Sequence, residues 1–134
     1  MTVLTEKNFK KKGLSFEYKS CPIVLQMIID DFVFISRIIG IEAVCVRIYG
    51  KHPGDSGVHK DERAADFRDE YLSSRLYTKE QVKFILTYIN CKWKRTDGYK
   101  SIIHHKFKDK KTGRLGPAHF HIQVPRDLKS LRRI

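Results

Sequence analysis

Apolar residues recur at two spacings along this chain, and the two spacings separate helices from strands. Helical spacing runs from about residue 20 to Gly40, a natural terminator, and resumes after Thr78. Apolar runs that are β-branched, or that alternate with polar residues, are typical of strands. They occur at 41–49, from about Ala64, at 99–107 and at 118–124. The pattern predicts helices and strands mixed within one α+β chain.

Both predicted helices have recognisable beginnings. Ser20 can cap the first, and Pro22 then falls in its first turn, where a missing N–H costs nothing. Thr78 and Gln81 form a capping-box pattern for the second. The apolar positions expected to be buried are Ile23, Ile28, Phe32 and Ile35 in the first helix and Val82, Ile85, Leu86 and Ile89 in the second.

The chain of 134 residues, 41% of them hydrophobic, is long enough for one domain with a real core and too short for two. Residues 1–19 are predicted to be an exposed basic lead-in that can include a short strand. Residues 20–125 form the predicted core of the domain. Residues 126–134 are a basic tail, expected to be helical or frayed.

The net charge of +12 favours an anionic partner, which can be nucleic acid, a membrane surface or an acidic bacterial cell wall. The N-terminus has no apolar signal-peptide core, so we expect the chain to start in the cytoplasm. The apolar run at 22–29 is too short to predict a membrane span. The three cysteines, Cys21, Cys45 and Cys91, form no Cys-x-x-Cys pattern and are expected to be buried thiols.

Two histidines alternate on the predicted strand 118–124. Side chains at i and i+2 of a strand share a face, so His119 and His121 should project side by side, ~7 Å apart at their backbones. Phe120 and Ile122 then turn the other way, toward a core. Such a pair suits a metal site or a paired acid and base. The alternative is a surface strand that carries two histidines without a function.

A second polar cluster precedes the strand that starts near Ala64. His59 and Asp66 lie seven residues apart after the glycine- and proline-rich segment 50–58. They can share one ion only if the chain turns between them; the alternative is an ordinary polar loop. A catalytic zinc takes three ligands and leaves one position open. His59, Asp66 and one histidine of the His119/His121 pair can supply those three ligands.

The order His-x6-Asp, followed at a distance by His-x-His, resembles the group of lysostaphin-type peptidases, zinc D-Ala-D-Ala carboxypeptidases and the hedgehog signalling domain. The spacing SGVHKDERAADF resembles the carboxypeptidase branch, which includes phage L-Ala-D-Glu endolysins; His59, Ala64 and Asp66 match its pattern. The resemblance spans roughly Ile23 to Pro125. It implies a Hedgehog/DD-peptidase-like α+β fold, in which a small antiparallel sheet floors a metal cleft and helices pack on its other side.

The resemblance also implies roles for single residues. His121, the second histidine of the pair, becomes the zinc ligand together with His59 and Asp66, and His119 becomes the catalytic residue beside the metal. Arg47, in the strand before the first ligand, is placed to hold substrate and developing negative charge. The residues expected to contact substrate are Ser56, His104 and His105, of which at most one of the two adjacent histidines can face the site.

The chain departs from the pattern of that branch at three positions. Ser56 stands three residues before His59 rather than two, and Glu62 replaces the usual glycine. Ala118 replaces the glutamate base that many members carry three residues before the last ligand. His119 is therefore left as the candidate base on its strand.

The predicted function is zinc-dependent hydrolysis of D-Ala-D-Ala or L-Ala-D-Glu type bonds in peptidoglycan. The enzyme would be a phage or prophage lysis enzyme that is cytoplasmic before its release to the cell wall. One alternative is a metal-dependent single-stranded DNA nickase, for which His-hydrophobic-His is also typical and Tyr71, Tyr77 or Tyr88 would be the nucleophile. The other is a zinc-bearing binding domain without catalysis, motivated by Ala118.

Overall fold

A computed structural model describes residues 3–48, 63–108, 111–125 and 128–133. The fold is mixed α+β, as predicted. In chain order the elements are α1 (Lys12–Ser20), α2 (Ile23–Ile38), β1 (Cys45–Arg47), β2 (Ala64–Arg68), β3 (Glu70–Tyr71), β4 (Ser74–Arg75), α3 (Lys79–Lys92), β5 (Trp93–Arg95), β6 (Ile102–Lys108), β7 (Leu115–Gln123) and β8 (Leu131–Arg133). Short 3-10 helices at Glu6–Asn8 and Leu128–Ser130 precede α1 and β8.

Four strands form an antiparallel sheet in the order β1-β2-β7-β6. The two central strands, β2 and β7, are hydrogen-bonded along their length, so Asp66 lies opposite His121 and Phe67 opposite Phe120. The smaller pairs are the β3–β4 hairpin and β5 with β8. The predicted small antiparallel sheet is therefore present.

The hydrophobic core lies between one face of this sheet and the helices α2 and α3. Phe32 of α2 packs against Phe67 and Phe120, with ring centroids 4.8 and 5.0 Å apart. All three rings are fully buried. Because strand side chains alternate between faces, the neighbours Asp66, His119 and His121 point to the opposite face, away from the helices. Truncation of a buried ring such as Phe32 to alanine costs about 3–5 kcal/mol.

The helix beginnings are partly as predicted. Gln81 N–H donates to Thr78 Oγ1 and Thr78 N–H to Gln81 Oε1, which confirms the capping box of α3. Gly40 follows α2 with a positive φ of 90°, the conformation that favours glycine after a helix. The prediction of Ser20 as the cap of α2 is wrong, because Ser20 is the last residue of α1 and Pro22 occupies the cap position. Ile23 is exposed rather than buried.

The N-terminal segment is not the exposed lead-in that its basic composition predicted. Residues 12–20 form α1, whose Leu14 and Tyr18 are buried in the core. Asn8 is also buried and donates to the Ala43 carbonyl, and Phe9 forms a bridge with Cys45. The apolar positions Leu14 and Tyr18 are four apart and lie on one helix face, so the lysines around them remain exposed while the helix packs.

Other differences concern the ends of elements and one thiol. The tail, expected to be helical or frayed, forms β8 and pairs with β5. The strand predicted at 41–49 is shorter, Cys45–Arg47, whereas β6 and β7 lie close to their predicted ranges. Cys91 is exposed, unlike Cys21 and Cys45, so the prediction of three buried thiols is wrong for that residue. None of the helices in the described ranges has the length and apolar composition needed to cross a membrane.

Candidate functional site

Strand pairing at the centre of the sheet brings together a carboxylate and an imidazole that are 55 positions apart in the sequence. Asp66 on β2 and His121 on β7 are direct partners across the two strands. His121 Nδ1 lies 2.8 Å from Asp66 Oδ1, and both residues are buried, with 8% and 5% of their surface exposed. Asp66 and His121, two of the three residues expected to share one ion, are therefore in contact.

Two more histidines surround this pair on the same face. His119 Nε2 lies 4.0 Å from Asp66 Oδ2. His105, the partner of His119 across β6 and β7, has its ring centroid 4.5 Å from that of His119 and 5.9 Å from that of His121. Burial lowers the pKa of His105, and the neighbouring imidazoles His119 and His121 lower it further. His105 is thus held toward its neutral form, the form that can accept a proton or bind a metal.

A chain of hydrogen bonds indicates which nitrogen of His121 carries a proton. Gln123 Nε2 donates to the Lys100 carbonyl at 3.2 Å, so the amide oxygen of Gln123 faces the histidine. That oxygen lies 3.2 Å from His121 Nε2, a contact that favours a proton on this nitrogen. In a neutral His121, the Nδ1 lone pair then points at the Asp66 carboxylate. Two acceptors at 2.8 Å need a proton or a cation between them, and the proton can belong to the ring or to the carboxyl group.

The same contact tests whether these residues suit a metal. Two ligand atoms on one tetrahedral zinc, each at ~2.0–2.1 Å, stand about 3.3 Å apart. Asp66 Oδ1 and His121 Nδ1 are 2.8 Å apart, closer than two ligands of one zinc, so an ion between them requires the two side chains to move apart. The N and O donors fit zinc, and Gln123 supplies the outer acceptor that histidine ligands usually have.

The expected three-ligand set is only partly within the described structure. His59, the third predicted ligand, lies outside the described residues, as do Ser56 and Glu62. Within residues 3–48, 63–108, 111–125 and 128–133, no group of three or more His, Cys, Asp or Glu side chains is close enough to hold a metal ion. The zinc site therefore stays a prediction that requires His59.

Arg47 lies at the border of the same site. Its Nε is 4.0 Å from Asp66 Oδ2, and only 20% of its side chain is exposed. Arg47, Asp66 and His119 all line one cleft of about 630 Å³, bounded on one side by the start of α1 and on the other by the β3–β4 hairpin. The arginine predicted to be aimed at a site is therefore next to the carboxylate of that site.

The two adjacent histidines of β6 face opposite sides, as their alternation required. His104 does not face the cleft: its Nε2 lies 2.7 Å from Asp69 Oδ2, and its ring packs on Phe120 with centroids 4.9 Å apart. The prediction that His104 contacts substrate is therefore wrong, because its side chain binds Asp69 and packs on Phe120 on the side of the sheet that faces the helices. His105 is the one of the pair that lies in the site.

Asp69 is an anchor that the sequence did not single out. Its carboxylate is fully buried and accepts from Arg75 Nε at 2.8 Å and from the backbone N–H groups of Leu76 and Tyr77. Burial raises the pKa of Asp69, but the bonds from Arg75 and His104 outweigh that effect and leave the pKa below its usual value. These contacts hold the β3–β4 hairpin, which forms one wall of the cleft.

Gln123 was also missed, although strand alternation contains the signal. It stands two residues after His121 and so shares its face, as His119 does two residues before. Ala118, by contrast, is fully buried and its carbonyl accepts from Asp69 N–H at 3.0 Å. A side chain at 118 alternates away from His119 and His121.

Comparison of the chain with protein families, with curated proteins and with solved structures finds no match in any of the three.

Proposed function

We propose that this chain is a zinc-dependent peptidase that hydrolyses peptide bonds of peptidoglycan, of the D-Ala-D-Ala or L-Ala-D-Glu type, on a Hedgehog/DD-peptidase-like fold. One observation carries the proposal. Asp66 Oδ1 and His121 Nδ1 face each other at 2.8 Å on the two central strands, and His121 Nε2 contacts the amide oxygen of Gln123. This arrangement supports a role for both residues as metal ligands, and His59 is the third ligand that the sequence offers.

The chemistry divides between the metal and the side chains around it. Zinc, when bound, activates water and polarises the scissile carbonyl. His119 Nδ1 lies 3.1 Å from the Pro117 carbonyl and must carry a proton to bond it. In a neutral ring Nε2 is then unprotonated, and it is the nitrogen that faces Asp66. His119 can therefore accept a proton there as a general base.

Arg47 has the charge needed for the other half of the reaction. A peptide carbonyl gains negative charge as water attacks it, and a fixed cation nearby lowers the barrier. Arg47 lies beside Asp66 and borders the cleft, so it can hold the substrate carbonyl and that charge. The peptide would lie along the cleft, with its scissile bond over Asp66 and His119.

The basic surface supports a cell-wall substrate, since a net charge of +12 attracts the anionic bacterial wall. In this proposal the protein is a phage or prophage lysis enzyme, cytoplasmic before it reaches peptidoglycan.

The direct test combines metal analysis with digestion of purified peptidoglycan. We expect about one zinc per chain, release of stem-peptide fragments detected by mass spectrometry, and loss of both after chelation or in Asp66→Ala and His121→Ala. Asp97→Ala is the control, because its carboxylate pairs with Arg95 outside the cleft. A protein that digests peptidoglycan equally well without metal would contradict the proposal. Bound zinc without any hydrolysis would instead support a non-catalytic zinc-bearing domain.

One observation favours a second candidate, the single-stranded DNA nickase. Of its three candidate nucleophiles, Tyr71 lines the same cleft as His119. Tyr77 is buried against Ser36, and burial raises its pKa far above the usual value; Tyr88 lies on α3, the helix packed on the other side of the sheet. Metal-dependent cleavage of a single-stranded oligonucleotide that is abolished in Tyr71→Phe would establish this candidate in place of the peptidase.

A further inference from the structure

The cleft continues beyond Asp66 and His119 to three basic residues, Lys10, Lys11 and Arg68, which we name the cationic rim. Lys10 and Lys11 precede α1, and Lys10 N–H donates to the carbonyl of Cys45 in β1, which holds that side of the cleft against the sheet. Arg68 comes from β2, two residues after Asp66 and on the same face. A substrate group held at the rim therefore lies next to the candidate ligands and base.

Arg68 is held in an orientation suited to binding a carboxylate. Its guanidinium carbon lies 4.5 Å above the centre of the Tyr71 ring. Stacking of this kind uses the flat face of the guanidinium and leaves its N–H edges available. Those edges match the two oxygens of a carboxylate in a bidentate contact.

The charges within the cleft are unbalanced in favour of an anion. Four basic side chains line it, the cationic rim and Arg47, against the two carboxylates Asp66 and Glu70. Glu70 is engaged with Lys106, whose Nζ lies 3.4 Å from its Oε1. Asp66 is engaged with His121. Neither carboxylate is thus available to neutralise the cationic rim.

The tip of the β3–β4 hairpin adds apolar side chains to the cleft beside Arg68. Tyr71 and Leu72, at this tip, both line the cleft, and Leu72 is 82% exposed. A peptide whose carboxylate reaches the cationic rim would place its aliphatic carbons against these two side chains. The exposed apolar side chains at the hairpin tip and the cationic rim together fit an acidic peptide.

We propose that the cationic rim, with Arg68 at its centre, is a subsite that binds a carboxylate of the substrate peptide. The proposal rests on the proposed peptidase function and specifies its substrate. In a peptidoglycan stem the carboxylate can come from two sources, the α-carboxylate of the γ-linked D-glutamate or the C-terminal carboxylate. Both would be recognised through the same bidentate contact.

Four synthetic stem pentapeptides separate these sources: both carboxylates free, only the glutamate amidated, only the C-terminus amidated, and both amidated. For zinc-loaded full-length protein, we would measure kcat/KM by chromatography and Kd by calorimetry. We expect the fully free peptide to be favoured by about tenfold or more over the doubly amidated one, the effect of one charge-assisted contact. The singly amidated peptide that loses as much kcat/KM and affinity as the doubly amidated one identifies which carboxylate the rim binds.

Variants then assign the preference to the rim. Arg68→Gln should reduce the preference to about twofold, because kcat/KM for the fully free peptide should fall more than kcat/KM for the doubly amidated one. The double variant Lys10→Gln/Lys11→Gln should weaken the same preference and provides a second route if Arg68→Gln does not fold. Lys79→Gln/Lys83→Gln removes the same charge from exposed positions of α3 and should leave the preference unchanged.

Equal kcat/KM and Kd for all four peptides in the wild type would overturn the subsite. An Arg68→Gln loss that is the same for every peptide would also overturn it, as would a short single-stranded oligonucleotide that displaces the free peptide at lower concentration. If no peptide is cleaved, the peptidase function fails, and the Kd values still decide whether the rim recognises a carboxylate.

Discussion

Gln123 presents its amide oxygen to His121 Nε2 at 3.2 Å, and its amide nitrogen is held by the Lys100 carbonyl. The contact leaves His121 Nδ1 as the nitrogen directed at Asp66. In the proposed zinc site, Gln123 would therefore be a positioning residue that favours the His121 tautomer with Nδ1 free for the metal.

The first prediction follows from this contact. Gln123→Leu removes the acceptor and should weaken zinc binding by about 10–100-fold, the usual effect of losing an outer partner of a histidine ligand. Gln123→Glu keeps an acceptor oxygen and should hold zinc within a few-fold of wild type or more tightly. Zinc Kd values from competition with a chelating dye provide the measurement, which needs no catalytic activity. Equal Kd values for the leucine variant and wild type would remove Gln123 from the site.

The second prediction separates metal binding from proton transfer. His121→Ala should lose both zinc and hydrolysis. His119→Ala should keep zinc near full occupancy while hydrolysis of cell-wall substrate falls by about 10²–10⁴-fold, the range for a lost general base. Atomic emission for zinc and turbidity of a peptidoglycan suspension are read on the same samples. Unchanged turnover in His119→Ala would transfer the role of the base to another residue, with His105 the nearest histidine.

The third prediction concerns pH and the anchor of the β3–β4 hairpin. The folded-state pKa of Asp69 lies below its unfolded value, near 3.8. The stability that the shift contributes is therefore fully present above the unfolded pKa and is lost as the pH falls through the folded pKa. Asp69→Asn should cost about 3 kcal/mol at neutral pH, because it leaves Arg75 and His104 without their charged partner. Urea unfolding between pH 3 and 7 should show a flatter pH dependence for the variant below about pH 5.

The fourth prediction concerns strain at the tip of the same hairpin. Leu72 and Ser73 have positive φ values of 51° and 66°, a left-handed conformation that suits asparagine and glycine better than leucine. Because Leu72 is exposed, Leu72→Asn loses no buried surface and should raise the free energy of unfolding by about 0.5–1 kcal/mol. Gly113→Ala is the converse control: φ is +73°, and the substitution should lower the free energy by about 1 kcal/mol. If the free energy of unfolding changed in the same direction in both variants, the hairpin tip would not be strained at Leu72.

The sequence was sufficient to predict the elements that depend on neighbouring residues alone. The capping box of α3 and the start of β2 at Ala64 need only neighbouring residues, and both are confirmed. The side of the sheet occupied by His119 and His121 followed from alternation alone. The N-terminal helix was not predicted, because the run Lys10, Lys11 and Lys12 at its start is typical of an exposed segment and only two of its residues are buried. Pairing of β8 with β5 joins segments about 36 residues apart and has no local signal.

The candidate site was predictable to the extent that its residues share a motif or a strand face. The motif spacing and the family resemblance it carries singled out Asp66 and His121. Their direct contact depends on the pairing of β2 with β7, which the spacing does not specify. Asp69 was overlooked because a single aspartate in a charged segment has many equivalents, and only the fold surrounds it with Arg75 and His104. The cationic rim is equally invisible in sequence, since Lys10 and Arg68 are brought to one cleft by packing.

The strand order also constrains how the protein can be made. During synthesis β1, β2 and β6 all leave the ribosome before β7, yet β7 lies between β2 and β6 in the sheet. Until β7 arrives, β6 has no neighbour in this sheet and β2 has one open edge, so the growing chain carries strand edges that can pair with other chains. β7 is the last strand of the four-stranded sheet in chain order, and its insertion into a central position raises contact order and slows folding. The same late event brings His121 to Asp66, so the candidate site is assembled only when β7 has joined the sheet.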